Sequence, residues 1–175
     1  MIRFKFAPDK AYAALHMMVD AHSGIDLHAA LKACYFADKT HLNAHYRPIF
    51  GATYRAMRFG PVPLEIYEMA KGESLWLAEL EVDGVPWSLE GYRLQRRVAQ
   101  QVDTSPLSPS NLEHLRAGLD LSLSMSFTER TAATHGADWQ AAELGLMQYE
   151  DMLEERPEKS EIIASLREKA RFMRL

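Results

Sequence analysis

The chain has 175 residues, of which 47% are hydrophobic and 25% charged, a globular composition that fits one compact domain and excludes disorder as its main state. Its net charge of −4 lacks the positive field of a nucleic-acid-binding protein, although residues 1–60 carry 8 Lys and Arg against 4 Asp and Glu. The single cysteine excludes an internal disulfide, and the absence of a signal-peptide core or of the roughly 20 apolar residues of a membrane span predicts a cytoplasmic protein.

Helical periodicity dominates the first 45 residues. A helix over 8–23 is predicted by five apolar residues at the spacing i, i+3, i+4, i+7 and i+8: Ala11, Ala14, Leu15, Met18 and Val19. Asp26 is a suitable N-cap for a second helix over about 27–44. Residues 53–59 then predict a short strand, and a Gly-Pro-Val-Pro turn opens a helix near 64–71.

The middle of the chain predicts β structure and the C-terminal part predicts helices. Residues 75–103 alternate apolar and polar side chains around an Asp83-Gly84 hairpin signal, although 92–102 fits either a strand or a short helix. Ser108 or Ser110 can cap a helix over about 110–126, and further helices are predicted over 139–156 and 160–175. The expected fold is α+β: one mostly helical domain spanning 1–175 with a small antiparallel sheet or hairpin.

Asp38 lies within the apolar stripe of the second helix. An aspartate is rarely buried unless it is paired or hydrogen-bonded, so an inward-facing Asp38 needs partners. Arg58, Tyr54 and His135 are the candidates. A buried network that fixes the fold is the favoured interpretation, and a ligand site is the alternative.

His41 and His45 are four residues apart on one helical face, which is a spacing used by zinc ligands. Asp38 or His135 would have to supply a third ligand, and a small metal-dependent hydrolase built on these four residues is the alternative function. No glutamate follows His41, however, and the chain contains no nucleophile elbow, P-loop or dinucleotide motif. We therefore predict no metal, no cofactor and no catalytic residue.

The last predicted helix has apolar residues on more than one face. Its main stripe is Ile162, Ile163, Leu166, Ala170 and Met173. Phe172 and Leu175 point away from that stripe, and four cations crowd the last nine residues. Such a helix can pack one face on its own domain and offer Phe172 and Leu175 to a partner protein.

Residues 31–72 resemble the Panacea domain, and weaker similarity extends over nearly the whole chain. The residues that carry the resemblance are Lys32, Tyr35, Phe36, Ala37, Asp38, His41, Leu42, Tyr54, Ala56, Gly60, Pro61, Val62, Tyr67, Leu107, Ser108, Thr134, His135, Trp139 and the segment 149–153. Residues 73–106 match only weakly.

The resemblance implies an antitoxin that binds and neutralises a cognate toxin protein. The length is most similar to the SocA-type antitoxins, which act as adaptors that deliver the bound toxin to the ClpXP protease. The resemblance therefore implies a toxin partner, with ClpXP as a second partner under the adaptor mechanism. The hydropathy and the net charge argue separately against a membrane and against a nucleic acid as partners. It transfers no catalytic residue, and its motif residues are candidates for the scaffold or for partner contacts.

Overall fold

The computed structural model describes residues 1–175 and has nine α-helices, of which the longest, α2, lies at the centre. The helices are α1 (Pro8–Ala21), α2 (Leu27–His45), α3 (Leu64–Ala70), α4 (Ser74–Glu79), α5 (Pro109–Leu123), α6 (Phe127–Ala133), α7 (Ala137–Ala141), α8 (Tyr149–Met152) and α9 (Lys159–Lys169). The strands are β1 (Ile25–Asp26), β2 (Tyr54–Met57), β3 (Gly60–Pro63), β4 (Trp87–Glu90) and β5 (Arg93–Arg96). This architecture confirms the predicted mostly helical α+β fold, and none of the helices is both long and apolar enough to cross a membrane.

The central helix α2 begins and packs as its sequence predicts. The Asp26 carboxylate caps it by accepting a hydrogen bond from the amide of Ala29 at 3.2 Å. Small side chains then let α5 approach closely: a Cβ added at Gly118 of α5 would lie 2.7 Å from the backbone oxygen of Ala33. The buried face of α2 therefore meets a second helix with almost no side-chain spacer between the two backbones.

Strands β2 and β3 form an antiparallel hairpin next to α2. Tyr54 pairs with Pro63 and Met57 pairs with Gly60, which leaves Arg58 and Phe59 at the turn. Gly60 has a φ of +101°, a conformation that favours glycine. The predicted strand is confirmed, whereas the segment 60–63, expected to be a simple turn, is its partner strand.

The β prediction for 75–103 is wrong in its first part. Residues 74–79 form α4, because Trp76 and Leu80 pack inward one helical turn apart and the Trp76 indole donates a hydrogen bond to Glu68 at 2.9 Å. The hairpin turn lies at Gly91, between β4 and β5, rather than at Asp83-Gly84. Strand β5 pairs with both β1 and β4, so this sheet has the order β1-β5-β4 and 93–96 is a strand.

The predicted helices over 139–156 and 160–175 are both shorter than expected. Glu143 and Leu144 adopt positive φ and interrupt the first, and Met147 then donates a backbone hydrogen bond to Tyr54 at the outer edge of β2. The last helix ends at Lys169, and a 3₁₀ turn over Ala170–Phe172 follows it. The sequence pattern does not predict these helix breaks, because the residues on either side of them are good helix formers.

Candidate functional site

Asp38 is fully buried at the centre of a hydrogen-bond network, as predicted. One carboxylate oxygen accepts the backbone amides of Ile49 and Phe50 at 2.6 and 2.9 Å. The other accepts the Tyr54 hydroxyl at 3.0 Å. Burial raises the pKa of Asp38 to about 6 even though these hydrogen bonds lower it. Both oxygens are satisfied from within the chain, so the network ties the loop after α2 and strand β2 to the helix.

Of the other predicted partners of Asp38, neither contributes. Arg58 is exposed at the hairpin turn, and its guanidinium lies 5.2 Å from the centre of the Phe59 ring. His135 instead stacks on Trp139 with ring centres 3.8 Å apart, and its buried Nε2 has no hydrogen-bond partner. Tyr54 is therefore the one correct partner among the three.

His41 uses both ring nitrogens to hold the structure together. Its Nδ1 donates to the backbone oxygen of Arg47 at 2.7 Å, which makes Nε2 the acceptor for the Asn111 amide at 3.1 Å. The side-chain oxygen of Asn111 in turn accepts a hydrogen bond from the buried Lys10 ammonium, with an oxygen–nitrogen distance of 2.8 Å. Burial lowers the pKa of His41 to about 4, so the imidazole is neutral at pH 7.

The histidines do not form a metal centre. The His41 ring lies 4.5 Å from the ring of His45 and 5.1 Å from that of His114, measured between centres. Yet the nitrogens of His41 and the oxygens of Asp38 are already occupied, and the chain contains no group of three or more potential ligands placed to hold an ion. The four residues of the hydrolase hypothesis are thus not brought together as ligands.

Tyr35 binds a buried carboxylate that the sequence analysis missed. Its hydroxyl donates to Asp138 at 2.5 Å, and the Lys39 ammonium reaches the same oxygen at 2.9 Å. Burial and the adjacent Asp138 charge raise the pKa of Tyr35. The neighbouring Trp139 indole donates to the backbone oxygen of Met57 at 2.9 Å. An acidic residue beside a motif tryptophan was the only signal for Asp138, and it was too weak to separate from a surface charge.

Lys32 is also buried, and it fastens the hairpin to α2. Its ammonium donates to the backbone oxygen of Pro61 at 2.6 Å. A Cβ at Gly60 would lie 2.8 Å from Cε of Lys32 and would overlap the hydroxyl of Thr134. Gly60 therefore permits a close approach of the hairpin to α2 and to the end of α6.

A groove opens above Lys32, between the start of α2, the hairpin and α6. It has a volume of about 590 Å³ and the lining residues Asp26, Leu27, His28, Leu31, Lys32, Met57, Arg58, Phe59, Gly60, Val62, Tyr67, Tyr92 and Phe127. Phe59 is 47% exposed and Tyr92 is 81% exposed, and the Phe59 and Phe127 rings meet at 5.2 Å. No local pattern in the sequence predicts this groove, because its walls come from separated segments of the chain.

Comparison with known proteins identifies the family. The family model described as antitoxin SocA-like, Panacea domain, matches residues 31–140. The chain belongs to this family. No curated protein and no solved structure matches the chain.

The Panacea motif residues fall into two groups in this structure. Most of them make contacts within the chain that join α2 to the hairpin and to the segment 134–139, and we call this set the scaffold: Lys32, Tyr35, Asp38, His41, Tyr54, Gly60, Pro61, His135 and Trp139. Tyr67 on α3 is half-buried, lies under the Lys71 ammonium at 4.6 Å from its ring centre, and lines the groove. The scaffold thus sets the position of the hairpin turn, which forms one wall of the groove.

The terminal residues proposed from the sequence differ in their surroundings. Phe172 is 75% exposed, beside the Arg171 guanidinium at 4.6 Å from its ring centre. Leu175 is half-buried, and its Cδ1 would lie 2.7 Å from a Cβ at Gly51. Leu175 therefore packs on its own domain, which corrects the expectation that both side chains are free for a partner.

Proposed function

We propose that this Panacea-domain protein is an antitoxin that neutralises its cognate toxin protein by binding it directly through the groove. The supporting observation is that four large apolar side chains, Met57, Phe59, Tyr92 and Phe127, are exposed around one cavity. Single exposed apolar residues are normal on a protein surface, but a contiguous apolar patch marks an interaction site.

The groove is a better candidate for the contact surface than the chain terminus. Aromatic side chains in pockets are the usual hot spots of protein interfaces, and the groove presents Phe59, Tyr92 and Phe127 together. At the terminus only Phe172 is exposed to that degree, since Leu175 packs against Gly51. The proposal assigns no catalytic role to any of these residues.

The test uses the toxin encoded beside this chain, co-expressed and co-purified with it. A Phe59→Ser, Phe127→Ser double variant should lose toxin binding at least a hundredfold and fail to rescue toxin-expressing cells, because two aromatic anchors are removed. Phe172→Ser is the matched control, since it places the same change on another exposed phenylalanine. Wild-type binding by the double variant, with loss of binding by Phe172→Ser, would move the contact surface to the terminus.

The same cells separate binding alone from delivery to ClpXP. The toxin half-life is measured with and without the antitoxin, in strains that contain or lack ClpX. A half-life that shortens only when antitoxin and ClpX are both present would identify an adaptor of the SocA type. An unchanged half-life with full rescue would identify neutralisation by binding alone.

A further inference from the structure

We propose that the groove binds a segment of the partner protein in which one Asp or Glu side chain stands between apolar side chains, with its carboxylate held by Lys32 and Arg58. This inference rests on the proposed function and specifies the chemistry of the partner at that site.

The first argument is the unpaired charge of Lys32. Its side chain is 1% exposed, lines the groove and makes a single hydrogen bond, to the backbone oxygen of Pro61. It forms no ion pair with any carboxylate of the chain. A buried ammonium without a counter-ion is costly, and a carboxylate from outside the chain would relieve that cost.

The second argument is the excess of positive charge around Lys32. Arg58 lies in the wall of the groove, and Arg130 lies behind it. The Arg130 guanidinium donates to the backbone oxygens of Ser122 and Met125 and contacts Nδ1 of His28, and it forms no ion pair with a carboxylate. Burial, with a further contribution from Arg130, lowers the pKa of Lys32 to about 7.

Asp26, the acidic residue that lines the groove, offsets these cations only in part. It accepts the amide of Ala29 as the N-cap of α2 and forms no ion pair. Burial lowers the pKa of Arg130, and the charge of Asp26 partly opposes that shift by raising it. The three cations Lys32, Arg58 and Arg130 outnumber this single carboxylate. The groove as a whole is complementary to a negative group.

The third argument is the apolar character of the walls around this positive floor. Leu27, Leu31, Val62 and Phe127 surround the cavity, and the exposed Tyr92 lies at its rim. A ligand with several charges would bury most of them against these apolar side chains, where they would lose water and gain no partner. An apolar segment with one carboxylate can pair with the cations at the bottom of the groove and pack its apolar side chains on the walls. The exposed Tyr92 at the rim offers further contact area, which favours a polypeptide over a small anion.

The test is a selection of peptides with no prior assumption about the toxin. A phage-displayed library of random 12-residue peptides is selected on the wild-type chain and counter-selected on the Phe59→Ser, Phe127→Ser variant. We expect the enriched peptides to share one Asp or Glu flanked by apolar residues. Enrichment of neutral or basic peptides would overturn the proposal. The proposal would also be overturned if no peptide were enriched while the fatty acid decanoate bound tightly to the wild-type chain.

Synthetic versions of the enriched peptide then locate the carboxylate. Changing its Glu to Gln, or its Asp to Asn, should raise Kd at least tenfold on the wild-type chain and by much less on the Arg58→Gln variant, because the two changes remove the same interaction. Arg116→Gln, on the exposed face of α5, is the control and should leave Kd unchanged. The Lys32→Met variant gives the same comparison for the ammonium at the bottom of the groove. If replacing the peptide carboxylate raises Kd equally on the wild type, on Arg58→Gln and on Lys32→Met, the assignment is contradicted.

The outcomes separate this inference from the proposed function. If toxin binding depends on Phe59 and Phe127 but not on Arg58 or Lys32, the antitoxin proposal stands and the acidic contact is wrong. If the wild-type chain binds acidic, apolar peptides but no toxin, the groove chemistry stands and the antitoxin proposal fails.

Discussion

The Tyr54 hydroxyl on β2 donates a hydrogen bond to the Asp38 carboxylate on α2 at 3.0 Å. The same carboxylate accepts two backbone amides from the loop that joins these elements. One side chain thus fixes α2, the loop that follows it and the first strand of the hairpin with respect to each other. The hairpin turn, at the far end of that strand, is thereby placed over the groove.

Removing the Asp38 side chain should destabilise the fold. Asp38→Ala leaves two buried amides and a hydroxyl without an acceptor, so we expect a loss of about 1–3 kcal/mol in the free energy of unfolding. Tyr54→Phe removes one of the three hydrogen bonds and should cost less, about 1 kcal/mol. Urea titrations measure both, and an Asp38→Ala midpoint equal to that of the wild type would contradict the network.

The close approach at Gly60 can be tested with a matched glycine. Gly60→Ala introduces a Cβ that overlaps Thr134 and Lys32 at a positive φ, and we expect it to cost about 2 kcal/mol or more. Gly91 also has a positive φ, +61°, but a Cβ there would meet open space. Gly91→Ala therefore isolates the backbone strain and should cost about 1 kcal/mol. Equal losses in the two variants would show that packing at Gly60 adds nothing.

His41 should make the fold less stable in mild acid. Its pKa is about 4 in the folded chain and 6.5 for a free side chain, so the unfolded chain binds more protons between these values. The contribution is present above pH 6.5 and is lost as the pH falls toward 4.

The comparison of His41→Gln with wild type isolates that contribution. Glutamine keeps a donor and an acceptor but does not titrate, so the variant should lose less stability than the wild type between pH 6.5 and 4. Effects of His28 and Asp38 are common to both proteins and cancel. His22→Gln, at an exposed site, is the control and should follow the wild-type curve.

Lys32 should give a pH dependence of the same sign in mild alkali. Its pKa is about 7 in the folded chain against 10.5 for a free side chain, so the unfolded chain binds more protons from pH 7 to 9. The free energy of unfolding of the wild type should therefore rise relative to Lys32→Met by about 1 kcal/mol per pH unit in this window. Parallel curves from urea titrations would indicate that folding does not lower the pKa of Lys32.

The two terminal residues should differ in their effect on stability. Phe172→Ala should change the free energy of unfolding by no more than about 0.5 kcal/mol, because the ring is exposed. Leu175→Ala removes the methyl groups that pack against Gly51 and should cost about 1 kcal/mol. Thermal melts distinguish them, and a larger effect from Phe172→Ala would reverse the assignment of these two positions.

Local features of the fold could be predicted from the sequence, and long-range ones could not. The Asp26 cap, the bounds of α2 and the need of a buried Asp38 for partners follow from periodicity and from the cost of burying a charge. Which of the three candidate partners binds Asp38 does not follow from either. By contrast, α4 alternates apolar residues like a strand, and only its packing on Phe6 and α3 decides for a helix. The Tyr35–Asp138 pair joins residues 103 positions apart, which no local pattern encodes.

The candidate site depends still more on long-range structure. The sequence predicts the motif residues as candidates for the scaffold or for partner contacts, but it does not predict the groove. Phe59 and Phe127 were not singled out, because one lies in a turn and the other near a helix start, where exposed aromatics are common. Their meeting at 5.2 Å exists only after α6 has packed beside the hairpin.

That late assembly bears on when the protein becomes competent during its synthesis. The first wall of the groove leaves the ribosome with α2, but the wall that contains Phe127 is made only after almost three quarters of the chain. A nascent or truncated product that ends before α6 presents the hairpin aromatics without their opposing face. Interrupted translation would then yield fragments without a complete groove, and under the proposed function only chains extended beyond α6 would bind the partner.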